Sequence, residues 1–179
     1  MDTYELKFTA LGQNIFSLLC IKAGEKLSQR EIAQSLKVSP TAVGKSLKAL
    51  LQKDLVKIEK TKTINFVSFN RDEQKAVKLK RAENLKNIYV SGLSVYLGEL
   101  LAGAAVIMFG SYSRGEDTRT SDIDIAVIGR KDRLLKLEIY EKILNRKINV
   151  NFYPSFGEIH KHLKNNILNG IVLHGSVEL

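Results

Sequence analysis

Gly110-Ser111 and Asp122-x-Asp124 stand on either side of a ten-residue interval, Tyr112 to Ser121. These residue types at this spacing can hold a polyphosphate. Glycine lets a phosphate approach the backbone where a side chain would block it. A serine hydroxyl and the backbone N–H groups of a turn entering a helix can bond phosphate oxygens. Two aspartates two residues apart on a strand share one face, because side chains alternate, and there they offer hard oxygen ligands to one or two Mg²⁺ ions. Arg114, inside the interval, adds charge on the phosphate side. The candidate nucleotide-binding residues are therefore Gly110, Ser111 and Arg114. The candidate metal-binding and catalytic residues are Asp122 and Asp124.

The flanking pattern supplies elements to position them. Ala104 to Phe109 is a short continuous apolar run of the kind found in a buried strand. After the aspartates, Ile125-Ala126-Val127-Ile128 continues a second strand. A helix is expected from about Lys131 to Asn145, followed by a strand over Lys147 to Tyr153. Ser155 and Glu158 have capping-box spacing for a helix to about Lys164. His160 and His162, two apart on a predicted helix, face different ways and make a poor metal pair. The sequence has no cysteine-histidine zinc pattern.

Gly-Ser, ten residues, Asp-x-Asp is the pattern of the nucleotidyltransferase superfamily that includes DNA polymerase beta, and residues 88–179 resemble its minimal members. The resemblance implies a mixed sheet flanked by helices, a two-metal Mg²⁺ site and an NTP ligand, with ATP expected. It also implies a third carboxylate on a neighbouring strand. That position falls on Asn149, or secondarily on Asn151, and neither is an acid. An amide can still ligate a metal weakly, which makes Asn149 the third candidate ligand. It cannot accept a proton at neutral pH. Nucleotide binding is thus expected ahead of turnover, although Glu158 is an acid that could compensate. Small relatives act as antitoxins that adenylylate a helical toxin, so transfer of NMP from NTP to a hydroxyl, including one on a helical partner protein, stays open.

The first part of the chain has a different pattern. Leu11 to Ile21 is apolar at helical spacing and stops before Gly24. Ser28 and Glu31 form a capping-box pair ahead of a helix with Ile32, Ala33 and Leu36 on one face. Ser39-Pro40 starts the next helix, with a good N-cap and proline in the first turn. It runs from Thr41 to about Lys53 and is expected to bury Val43, Leu47, Leu50 and Leu51. Two strands come next, Leu55 to Glu59 and Thr63 to Phe69, around a polar tip. This order resembles a winged helix-turn-helix, whose third helix enters the major groove of double-stranded DNA. By that resemblance Ser39, Thr41, Ala42, Lys45, Ser46 and Lys48 face DNA, and Lys60 and Lys62 reach it from the wing tip. Lysine positions rather than specifies, so no base sequence is legible.

Charge agrees with this division. Residues 1–71 hold twelve Lys+Arg against six Asp+Glu, and residues 72–179 hold sixteen against thirteen. The basic excess is concentrated towards the N-terminus, where it favours polyanions. Asn70 and Glu73 repeat capping-box spacing for one or two helices reaching Glu99. The charged half of that stretch is expected to be solvated, and the apolar half to pack against the second domain. The expected organisation is α+β: a winged helix-turn-helix over 1–71, a linker helix over 72–87 and the nucleotidyltransferase-like domain over 88–179. No apolar run reaches the roughly 18–20 residues needed to cross a bilayer. The single cysteine, Cys20, lies in an apolar run, and no signal-peptide pattern opens the chain. A cytoplasmic protein and, by analogy with winged-helix regulators, a homodimer are expected. The leading functional expectation is a DNA-binding transcriptional regulator that binds a nucleotide. An active transferase and an adaptor working by protein contact are the alternatives.

Overall fold

The computed structural model describes residues 8–177. The chain divides into two compact units, one running through Lys80 and the other beginning at Arg81.

In the first unit, helix α1 (Ala10–Ile21) starts where the Thr9 hydroxyl accepts the Gly12 N–H at 3.0 Å. A two-residue strand, β1 (Leu27–Ser28), leads into α2 (Gln29–Leu36). The capping box is complete: Ser28 Oγ accepts the Glu31 N–H at 3.2 Å, and Glu31 Oε2 accepts the Ser28 N–H at 2.7 Å. Lys37, in the left-handed region at φ 55°, ends α2. Helix α3 (Pro40–Leu51) begins with Ser39 Oγ capping the Ala42 N–H. Ile15, Phe16 and Leu19 of α1 pack with Ile32 of α2 and with Val43, Leu47 and Leu50 of α3 in one apolar core. Leu51, expected inside, is 42% exposed. At about 100° per residue it is turned away from the core face that Leu50 occupies.

Strands β2 (Val56–Lys60) and β3 (Asn65–Phe69) form the hairpin, with β1 added on the other side of β3. Helix α4 (Gln74–Val90) carries the division between the units at Lys80–Arg81. Its start differs from the expected capping box. The Asn70 side chain instead donates to the Asp54 carbonyl and accepts the Asp72 N–H, while Glu73 accepts the Lys75 N–H. Asn70 is drawn to the end of the hairpin and so is lost as a helix cap. Nor is the charged stretch uniformly solvated. Ala76 is buried in the first core, and Glu83 and Asn84 are buried further along.

In the second unit, α5 (Leu93–Leu100) precedes β4 (Ala105–Phe109), the short helix α6 (Gly110–Arg114) and β5 (Ile123–Ile128). After them come α7 (Glu138–Leu144), β6 (Ile148–Tyr153), α8 (Lys161–Leu168) and β7 (Ile171–His174). The sheet order is β6-β5-β4-β7; β5 and β6 are parallel and the other pairs antiparallel. This is the expected mixed sheet. Both faces are covered. Ile123, Ile125 and Val127 pack with Leu93, Leu97 and Leu101, whereas Ala126 and Ile128 pack with Ile159 and Ile167. All five residues of β4 are buried. Burying a large apolar side chain contributes roughly 1.5–3 kcal/mol, so β4 anchors the turn at its end.

Three expectations in this unit are corrected. The helix expected from Lys131 forms only over Glu138–Leu144. Ahead of it the Lys136 N–H donates to the Tyr96 hydroxyl and Arg133 donates to the Leu100 carbonyl, so the segment is held as a strap on α5. The helix expected from Ser155 is a 3₁₀ turn, Phe156–Glu158, without a serine side-chain cap, and α8 begins only at Lys161. His160 is therefore the residue before that helix, and its ring lies 5.5 Å from that of His162 instead of facing away.

Candidate functional site

The end of β4, the corner after it and the start of β5 bring the expected residues together. Phe109 is paired with Asp124 across the antiparallel ladder, so the corner at Gly110 lies directly over that aspartate. Gly110 has φ 76°, and a Cβ added there would lie 2.6 Å from Asp124 Oδ2. Glycine is required twice over, by the backbone conformation and by the carboxylate beside it. Ser111 comes next, in the first turn of α6, and is half-buried. Arg114 closes that helix with Nε 2.7 Å from Glu116 Oε2, an exposed pair that holds the guanidinium near the corner and offsets part of its charge.

Asn149 stands opposite Asp124 in the parallel ladder between β5 and β6. Its amide nitrogen is 3.1 Å from Asp122 Oδ2 and 3.5 Å from Asp124 Oδ1. The amide therefore faces both carboxylates, in the place where the sequence resemblance asked for a third acid. Asn151 aligns instead with Ala126. Among the described residues no group of three or more His, Cys, Asp or Glu side chains could hold a metal ion. Two converging carboxylates and one amide nevertheless fit a hard divalent cation, because the amide can turn its carbonyl oxygen towards the position its N–H now faces.

The support beneath this corner has no signal in the sequence pattern. Asp117 and Arg146 are both buried and form an ion pair of 3.6 Å. Asn84 Nδ2 donates to Asp117 Oδ1 at 2.7 Å and to the Tyr112 carbonyl at 2.9 Å. The loop between α6 and β5 is thus tied to α4 and to the chain just before β6. Ser121 Oγ accepts the Thr118 N–H at 3.0 Å and fixes the last turn before Asp122. In the sequence these are scattered polar residues in a polar loop and a charged helix. Only folding brings them into contact.

In the first unit, Ser39, Thr41, Lys45 and Lys48 are exposed, while Ala42 and Ser46 are half-buried. The Ser39 hydroxyl is engaged in capping α3. Lys60 and Lys62 are exposed beside the wing tip, which closes where the Thr61 hydroxyl donates to the Ile64 carbonyl and accepts the Ile64 N–H. A hollow of about 300 Å³ opens between the starts of α2 and α3 and the wing, with Arg30 and Asn65 on its border. Both are exposed and can make paired hydrogen bonds to base edges. Neither was among the residues the sequence pattern singled out.

A family profile described as nucleotidyltransferase domain matches residues 90–174. The chain is also 44% identical over 71 residues to MJ0435 of Methanocaldococcus jannaschii, whose name is "Putative protein adenylyltransferase", covering 36% of this chain and 72% of that one. The chain belongs to the nucleotidyltransferase family. A second profile, winged helix-turn-helix DNA-binding, matches residues 18–57, so the family's domain here sits behind a helix-turn-helix. Solved structures similar to part of the chain include Lactococcus lactis ZitR in complex with DNA, at 27% identity over 56% of this chain and 65% of that one, with TM-score 0.39. The adhesin competence repressor AdcR of Streptococcus pyogenes is similar at 20% identity over 56% of this chain and 70% of that one, with TM-score 0.40. No helix among the described residues is long and apolar enough to cross a membrane.

Proposed function

We propose that this nucleotidyltransferase-family chain is a DNA-binding transcriptional regulator whose C-terminal domain binds a nucleoside triphosphate, ATP by preference, together with Mg²⁺. The observation that carries the nucleotide half is the convergence of Asp122, Asp124 and Asn149 beside the Gly110 corner. In this reading Asp122, Asp124 and the Asn149 carbonyl hold the cation, which when bound neutralises phosphate charge. Gly110 gives the phosphates access to backbone N–H groups, Ser111 offers its hydroxyl and Arg114 its guanidinium. Asn149 has no lone pair basic enough to take a proton from an attacking hydroxyl, which favours binding over turnover. The DNA half rests on the match of the N-terminal profile and on the exposed lysines of α3 and the wing. A homodimer suits it, since paired half-sites are the usual mode for this motif.

Calorimetry with ATP and Mg²⁺, and gel shifts on duplex DNA at rising salt, test the two halves. No heat of ATP binding would end the first, and no salt-sensitive DNA affinity would end the second.

One finding favours a second reading: the M. jannaschii relative is named for protein adenylyl transfer. Here a hydroxyl on a partner protein would attack the α-phosphorus of ATP and pyrophosphate would leave, with Asp122, Asp124 or Glu158 receiving the hydroxyl proton. Labelled ATP and Mg²⁺ with candidate partners decide between the readings. A labelled product abolished by Asp122→Ala and by Asp124→Ala establishes transfer.

A further inference from the structure

Strand β6 is the edge of its sheet, and its inner side is fully used by β5. The Lys147 carbonyl accepts the Ile123 N–H at 2.8 Å, and the Tyr153 carbonyl accepts the Gly129 N–H at 2.9 Å. In a parallel ladder alternate residues of one strand bond the neighbour, so Lys147, Asn149, Asn151 and Tyr153 face inward. Ile148, Val150 and Phe152 direct their N–H and C=O groups outward. Glu141 Oε1 accepts the Ile148 N–H at 3.0 Å, which agrees with the alternation and closes that end of the edge. Nothing among the described residues bonds the backbone of Val150 or Phe152 on its outer side.

A groove of about 520 Å³ runs along this edge. One wall is five consecutive residues of β6, Ile148 to Phe152, which places the groove over the backbone edge and not over one face of the sheet. The other wall is the strap, with Arg133, Leu134, Leu135 and Leu137. Leu134 is 90% exposed, an apolar side chain held at the rim with nothing packed on it. Asp124 lines the same groove. The strap is basic, with Arg130, Lys131, Arg133 and Lys136 against Asp132. Among the described residues Arg130 and Arg133 reach only the Leu100 carbonyl, and no carboxylate there pairs with them.

We infer that the β6 edge binds an extended, acidic segment of another protein by strand addition. Its backbone pairs with Val150 and Phe152, its apolar side chains cover Leu134, and one of its residues lies beside Asp124. Unpaired edge groups call for a strand, and alternate side chains of the added strand give specificity. The basic rim selects acidic side chains. A second copy of this chain suits the edge poorly, because it carries +9 net charge and brings the same basic strap.

The test is selection of displayed random linear peptides on the full chain without nucleotide, followed by titration of the strongest synthetic binder. The expected binders are acidic with apolar residues at alternate positions, and they slow amide hydrogen exchange at Val150 and Phe152. Val150→Pro removes an outward N–H and leaves the inner ladder intact. It should weaken peptide binding by about tenfold or more, for the loss of one hydrogen bond and steric block of the edge. Leu134→Asp, on the exposed strap, serves as a second variant that does not touch the strand and should weaken binding as well. Failure to enrich any acidic peptide, binding unmoved by both substitutions, or exchange at Val150 and Phe152 unchanged by the peptide overturns the inference. So does protection without peptide that rises with protein concentration and tracks a dimer mass. Asp122→Ala should bind the peptide as the parent chain does, so failure of nucleotide binding and failure of this inference are separable.

Discussion

Gly110 lies against Asp124 so closely that a methyl group on its α-carbon would stand 2.6 Å from a carboxylate oxygen. The corner and the aspartate are therefore one unit. Gly110→Ala should displace Asp124 and also force a non-glycine residue into a left-handed conformation. The second effect costs about 1–3 kcal/mol, measurable by urea unfolding. The first should show as a larger proportional loss, with ATP affinity in Mn²⁺ falling about tenfold or more by calorimetry.

Asn149 facing both aspartates makes the reverse substitution informative. Asn149→Asp places like charges directly opposite each other on paired strands, which costs about 0.2–1 kcal/mol when no cation is bound. With Mn²⁺ present the variant should gain stability over the parent chain, because a third carboxylate strengthens the donor set. Thermal melts with and without Mn²⁺ check the crossover. An Asn149→Asp protein whose melt ignores Mn²⁺ would contradict the metal assignment.

The buried Asp117–Arg146 pair should respond asymmetrically to mutation. Asp117→Ala removes one partner of a buried ion pair, and such a loss costs about 3–5 kcal/mol. The double substitution Asp117→Ala with Arg146→Met should cost less than the first change alone. Denaturant unfolding of the three proteins gives the comparison.

On the DNA side, Lys45→Ala and Lys48→Ala should each reduce the slope of log affinity against log salt by about one. Arg30→Ala and Asn65→Ala should change the preference among DNA sequences more than that slope, if the hollow beside the wing reads bases. Fluorescence anisotropy over a salt series on several duplexes separates the two effects.

The capping box of α2 carries a pH dependence of known sign. The Ser28 backbone N–H, and then its side chain, hold the Glu31 carboxyl below the ordinary glutamate range. A depressed folded value means that the stabilisation is fully present above the unfolded value and is lost as pH falls through the folded one. An NMR titration of Glu31 should give a midpoint below that of a free glutamate. Acid sensitivity of the Ser28 amide signal should vanish in Glu31→Gln.

The features legible in the sequence are the local ones. The Ser28–Glu31 box, the Ser39-Pro40 start and the Gly-Ser corner depend on neighbours three or four residues away or on a residue type with one conformational use. Asn149, with Asn151 as second choice, is singled out in the sequence only by the family pattern of a third carboxylate on a neighbouring strand, and the ladder pairs Asn149 with Asp124. Other features depended on tertiary partners. The segment after Gly129 has the composition of a helix, but its Lys136 N–H donates to the Tyr96 hydroxyl and its Arg130 and Arg133 guanidinium groups donate to the Leu100 carbonyl. Asn70 was drawn to Asp54, so its spacing to Glu73 misled. Asp117, Arg146 and Asn84 meet only across the fold, and no periodicity marks them.

The turn between α2 and α3 opens on a lysine, not a glycine, in a left-handed conformation. Glycine would adopt it without the Cβ clash, a difference of about 1–2 kcal/mol. The motif thus keeps a cation at a joint whose backbone geometry asks for no side chain. Glycine in place of Lys37 would relieve that strain and remove one exposed positive charge from the helix-turn-helix.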